Sequence, residues 1–250
     1  MDYLKMRPAE IRDAVERNVP LIMAAGSVEY HGPHLPIATD YLIAATIIKR
    51  IEERCVCVVA PPLPFAPTMF WAAGSNDGEF DFDPEALRIF AKEILRGFVK
   101  IGFRRIYVMQ HHQGVDGTPY LAIKLAASEV VREVGKSWGE GWGRVPPEKM
   151  PNPNIFSLIR VESIDAFSTY SDGSERIPIG HGSKGETQLM LAGYPETVRM
   201  EELDAIKDGL PAWLEDSHLG TTEEGIRWIE FCAAGWVKEL ADVRLKPGVK

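Results

Sequence analysis

The chain has 250 residues, 45% hydrophobic and 26% charged, with a formal net charge of −8. That content suffices to bury one sizeable core, so a single domain over 1–250 is expected, and the acidic balance excludes nucleic acid or an anionic membrane as the main partner, both of which need a basic footprint. No stretch approaches the roughly 18 uninterrupted apolar residues of a membrane span, and the N-terminal MDYLKMRPAEIRDAVERN lacks the apolar run of a signal peptide, so a cytoplasmic location is expected.

In chain order, a helix is predicted from Pro8, a proline suited to the first helical position, with Ile11, Ala14 and Val15 on one face. A buried strand follows in PLIMAAG (20–26), then a helix over 40–53 with Asp40 at its N-cap. The next strand, CVCVVA (55–60), turns Cys55 and Cys57 to one face as buried reduced thiols; with Cys232 the cysteine number is odd, and a lone C-x-C lacks the four ligands of a structural zinc site. A loop rich in Pro, Gly and aromatics covers 61–82. Beyond it come a helix over 84–100, the strand RRIYVM (104–109) and a helix over about 118–134. Residues 135–154 are too rich in Gly and Pro for a regular element and read as a lid, an oligomer contact or a plain solvent loop. A last helix is predicted in TEEGIRWIEFCAAGWVKELA (222–241). Short apolar strands separated by helices predict an α/β fold, a three-layer α/β/α sandwich around a mainly parallel sheet.

In such sheets ligands bind beyond the carboxyl ends of the strands. PLIMAAG runs into SVEYHGPHLPIATD and RRIYVM runs into QHHQG, so both histidine-rich segments fall at that edge. Five of the six histidines, His31, His34, His111, His112 and His181, stand in glycine-containing segments rather than on an amphipathic face. In E-Y-H the alternation of an extended chain turns Glu29 and His31 to the same side, where both can reach a metal, and Asp40 returns a carboxylate from the following helix start. Pro33 and Pro36 stiffen the loop between them. Alone, Glu29 or Asp40 reads equally as a surface carboxylate or a helix cap; together with His31 they point to a metal site.

These segments resemble the creatininase family. GSVEYHGPHLPIATD (26–40) is similar to its signature, GFRRIYVMQHHQG (102–114) to the strand entering its asparagine-glycine-histidine loop, and HGSKGETQLML (181–191) with YPETV (194–198) to later segments in the same order. The resemblance covers roughly residues 5 to 200. It implies two divalent metal ions, with Glu29 and His112 as ligands of one, His31 as a ligand of the other and Asp40 as the bridge. Creatininase supplies a further carboxylate two residues after the loop histidine, where this chain has Gly114; Glu186, opening a helix, is the substitute, its other reading being a carboxylate stabilised by the helix dipole. Neighbours leaving a strand point in opposite directions, so only one of His111 and His112 is expected to face the metal, and the family spacing selects His112.

Gln110, His111 and Gln113 depart from the family residues and are read as substrate contacts, with His34 beside the site. His181 is expected to move a proton to the leaving atom or, alternatively, to bond the turn before the next helix. The segment RIPIG (176–180) lacks the acidic residues that creatininase has there, and GSNDGEFDFDPE (74–85) reshapes the mouth. Mixed histidine and carboxylate ligands suit zinc, manganese or iron(II), which make hydroxide available near neutral pH and polarise a carbonyl. The expected function is hydrolysis of a C–N bond in a small cyclic amide by metal-bound hydroxide. The alternatives are cleavage of a C–C bond in a ring diketone, since some relatives act on oxidised inositols, and a non-catalytic metal-stabilised scaffold. A homo-oligomer, a hexamer, is implied by the resemblance alone.

Overall fold

The computed structural model describes residues 1–149, 155–206 and 209–241. Strands β1 (Leu21–Ala25), β2 (Val58–Val59), β3 (Ile106–Gln110) and β4 (Ile159–Ser163) form one parallel sheet in the order β2-β1-β3-β4. Every residue of β1 and β3 is buried, so neither shows polar alternation. That is the signature of a sheet covered on both faces.

Helices α1 (Pro8–Glu16), α3 (Pro84–Ile101) and α4 (Thr118–Ser137) cover one face, where Leu21, Met23, Ile106 and Val108 meet Leu87, Leu95, Ile123 and Val130. Ile22, Ala24, Tyr107 and Met109 point the other way, into a core with α2 (Thr39–Glu52), α5 (Lys184–Gly193) and α7 (Thr222–Ala241). The single turn α6 (Glu201–Asp204) lies between the last two. The result is the three-layer α/β/α sandwich. Helix α3 shows why these residues form helices: Asp83 Oδ1 accepts from Ala86 N at 2.8 Å, Pro84 takes the first position, and Leu87, Ala91, Leu95 and Phe98 bury one face. Gly102, with φ 123°, ends it. No described helix is long and apolar enough to cross a membrane.

Several expectations change. The strand foreseen over 55–60 pairs only at Val58 and Val59; Val56 is exposed, Cys55 half-buried and Cys57 buried, and Pro61–Pro62 cannot extend the ladder. The outer edge of β2 is closed by the N-terminus, since Val59 N donates to Met1 O and the terminal ammonium donates to Cys57 O. Strand β4 was not foreseen. Asp40 is not an N-cap: α2 begins at Thr39 with Ala38 before it, and the Asp40 carboxylate leaves the first turn to meet side chains of the site. Of the 135–154 segment, 135–137 continue α4, and two short 3-10 turns, Trp142–Arg144 and Pro147–Lys149, follow; 150–154 lie outside the described residues.

Candidate metal centre

Strand β1 is followed by Gly26, where a Cβ would stand 2.5 Å from Tyr41 N, so the absence of a side chain lets the start of α2 close directly onto the strand end. This brings Asp40 over the carboxyl edge, where Ser27 Oγ donates to its Oδ2. The loop between is clasped by Glu29 N donating to Ile37 O at 2.8 Å. On the neighbouring strand, His111 N donates to Ala25 O, one step beyond the β1–β3 ladder. The chain then bends through Gln113, in the left-handed region at φ 58°.

Three imidazoles are oriented in one manner, each with one ring N–H donated to a backbone carbonyl. His31 Nδ1 donates to Glu29 O at 3.0 Å, His112 Nε2 to Pro67 O at 2.8 Å and His181 Nε2 to Tyr30 O at 2.6 Å. The other nitrogen of each faces carboxylates. His31 Nε2 stands 3.2 Å from Asp40 Oδ1 and 3.5 Å from Glu186 Oε2; His112 Nδ1 stands 2.9 Å from Asp40 Oδ2 and 3.1 Å from Glu29 Oε2; His181 Nδ1 is 3.6 Å from Glu29 Oε2. Anchoring one nitrogen so that the other presents a lone pair is how proteins orient metal-ligating histidines.

Ligand atoms of Glu29, Asp40 and His112 lie within 4.8 Å of one another, as do those of His31, Asp40 and Glu186, and those of Glu29, His31 and His181. At metal–ligand bonds of roughly 2.0–2.2 Å, that spread suits atoms around one ion. The residues present fit a metal on a second ground too: Glu29 Oε2 is buried and has no hydrogen-bond partner.

The electrostatics agree. Burial alone would lower the pKa of His31, but Asp40, Glu186 and Glu29 outweigh it and push the ring up to about 10. His112 is likewise raised well above its ordinary value, burial being overcome by Asp40 and Glu29. Asp40 is held well below its usual range, because His31 and His112 outweigh the desolvation that would raise it, and His31 and His111 do the same for Glu186. The site therefore calls for compensating positive charge, which protons on the imidazoles or cations can supply. His181 moves the opposite way, lowered by burial and by the neighbouring His31.

A cavity of about 560 Å³ opens over the cluster, with Met69, Trp71 and Ile179 at its apolar wall. Gln110, His111 and Gln113 line it. The His111 ring also reaches the cluster, its Nε2 3.2 Å from Glu186 Oε1, but of the two neighbours it is His112 that stands in a candidate ligand grouping, with Glu29 and Asp40. His34 does not reach the cavity wall. It is buried behind the centre with Nε2 2.9 Å from Thr187 Oγ1, and burial, aided by His31, lowers its pKa to about 4. Sequence reasoning did not single out Ser27 or Thr187, although both sit inside the quoted motifs beside carboxylates. It also missed Trp71 and Trp213, whose rings stand 5.2 and 4.9 Å from His181, and Asp165 on the cavity wall.

A creatinine amidohydrolase from Pseudomonas putida is 27% identical over 195 residues, covering 77% of this chain and 70% of that protein. A 3-dehydro-scyllo-inosose hydrolase from Thermotoga maritima is 24% identical over 200 residues, 80% of this chain and 58% of the relative. The solved structure named Creatininase Mn superposes with a TM-score of 0.73 at 22% identity, covering 96% of each chain, which shows the shared fold. The family model described as Creatininase, creatinine amidohydrolase, matches residues 4–242, and the chain belongs to that family of hydrolases.

Proposed function

We propose that this protein is a dinuclear metal-dependent hydrolase that opens a C–N bond of a small cyclic amide, with Glu29 and His112 holding one ion, His31 and Glu186 the other, and Asp40 shared. The observation that carries this reading is the division of Asp40: Oδ2 faces His112 and Oδ1 faces His31, so one carboxylate belongs to both groupings. Two divalent ions, zinc, manganese or iron(II), would polarise a carbonyl oxygen and make hydroxide available near neutral pH.

The chain's own residues do the rest. His181, kept neutral by burial and pinned through Nε2 to Tyr30 O, offers Nδ1 at the cavity wall to take a proton and return it to the leaving nitrogen. Trp71 and Trp213 pack against its ring and limit both its rotation and the water that reaches it. His111 holds Glu186 from one oxygen while Gly182 N donates to the other at 2.7 Å. A second reading, cleavage of a C–C bond in a ring diketone of the inosose type, is favoured by the polar wall of Gln110, His111 and Gln113, which suits a hydroxyl-rich ring.

Metal-reconstituted protein assayed against cyclic amides, lactams and keto-inositols separates these readings. The expected result is two ions per chain and turnover of a cyclic amide. Two ions per chain with no turnover of any member would instead leave a metal-stabilised scaffold.

A further inference from the structure

The segment 74–85, which departs from the family's sequence, contributes no residue to the cavity wall. It holds a buried carboxylate nonetheless. A 3-10 turn over Ser75–Asp77 closes on Gly78, in the left-handed region at φ 86°, and the chain then carries Glu79 inward to 3% exposure. Glu79 stands in none of the groupings that could take an ion. Its Oε1 is buried without a hydrogen-bond partner, and its Oε2 accepts from Tyr30 N at 3.2 Å. A buried carboxylate with one oxygen unmet costs stability, so a compensating role has to lie in the bond that it does make.

Tyr30 lies between the candidate ligands Glu29 and His31, and each backbone polar group from Val28 O to Tyr30 O has a partner. Val28 O accepts from Phe80 N at 3.0 Å, Glu29 N donates to Ile37 O at 2.8 Å, Glu29 O accepts from His31 Nδ1 at 3.0 Å, and Tyr30 O accepts from His181 Nε2 at 2.6 Å. Glu79 completes the set, so residues 79 and 80 clasp the ligand loop at two points. Glu29 O and Tyr30 N belong to one planar peptide group. On one side that group accepts the His31 ring N–H; on the other it donates its own N–H to a carboxylate. Linked bonds polarise one another: the carboxylate draws on the amide N–H, the carbonyl gains negative charge, and its hold on the His31 Nδ1 proton tightens. Nε2, the nitrogen facing Asp40 and Glu186, becomes the stronger donor for it.

We infer that Glu79 is a positioning residue for His31: acting through the peptide group between Glu29 and Tyr30, it fixes the plane of the ring and strengthens Nε2 as a metal ligand, a role that rests on the metal centre proposed above.

Nuclear magnetic resonance of the imidazole N–H protons in metal-free and zinc-loaded protein, with calorimetric titration of zinc, tests it. In Glu79→Ala the His31 Nδ1 proton is expected to move upfield in both forms, and one zinc ion to bind roughly tenfold more weakly, the low end of what groups that orient a ligand contribute. The His112 Nε2 proton, bonded to Pro67 O, is expected to stay in place. Glu79→Gln, which keeps an oxygen for Tyr30 N, should recover most of both losses. An unmoved His31 proton or an unchanged zinc affinity in Glu79→Ala overturns the role, and so does an equal displacement of the His31 and His112 protons, the mark of a general disturbance. Should Glu79→Ala fail to fold, Glu79→Asp, whose shorter side chain draws the carboxylate away from Tyr30 N, is judged by the same signals. If the unaltered protein takes up no zinc, the metal centre itself falls, and the His31 proton of the metal-free protein judges by itself whether Glu79 positions the ring.

Discussion

Asp40 is 2% exposed and meets Ser27, His31 and His112, so it is the carboxylate whose two oxygens face the two candidate groupings. Asp40→Ala is expected to abolish turnover and strip both ions, measured as metal per chain after gel filtration; near-normal metal in a folded variant would rule out a shared carboxylate. The adjacent histidines give a sharper contrast. His112→Ala is expected to lose one ion and nearly all activity. His111→Ala should keep the ion on the Glu29 side and bind the other roughly tenfold more weakly, because His111 orients Glu186, and partners of that kind typically contribute 10–100-fold to metal affinity. If His111→Ala proves the more damaging of the two, the ligand roles in this loop are reversed. The residues of GSVEYHGPHLPIATD were legible because the loop is short and its alternation is local. The resting place of His34 was not, since its partner Thr187 lies 153 residues away, nor was the meeting of His111 with Glu186 across 75 residues.

Among the elements, β1 and β3 announced themselves as unbroken apolar runs, whereas β4 did not. Its sequence IRVES alternates, with Arg160 paired to Glu162 and Glu239 at the sheet's edge, and this charge masked a strand of the same length as its neighbours. The element contacts also separate stability from site geometry. A Cβ at Gly225 would fall 1.8 Å from Gln188 O, where α7 crosses α5, so Gly225→Ala should cost about 1–3 kcal/mol, read from the denaturation midpoint, as overpacked cores do. Folded Gly225→Ala is expected to retain its metal. Gly26→Ala pushes instead on the first turn of α2 and should lose metal affinity even where the fold survives; equal metal content in the two variants would contradict the role given to Gly26.

Across the molecule, the buried charges tie stability to pH. A histidine whose folded pKa is raised contributes stability that is complete below its ordinary value of 6.5 and fades as pH climbs; for His31 the loss runs up to about 10. Asp40 and Glu186, whose pKa values are lowered, contribute above the ordinary carboxylate range and lose that contribution as pH falls through it. Chelator-treated protein should therefore melt at progressively lower temperature from pH 7 to pH 10, while metal-loaded protein, with cations in place of the protons, should change little. Parallel curves with and without chelator would argue that no ion enters the cluster. Helix α7 bears on the same assembly in time. It buries Trp228, Ile229, Cys232 and Trp236 against the layer that holds α2 and α5, and Trp236 Nε1 donates to Ile164 O at the end of β4. It is also the last described element to leave the ribosome, after every candidate ligand has already emerged. A chain of which only the first 200 residues have emerged thus carries the complete set of candidate ligands on a sheet whose second face still lacks α7, and ion capture is expected only once translation delivers the closing helix.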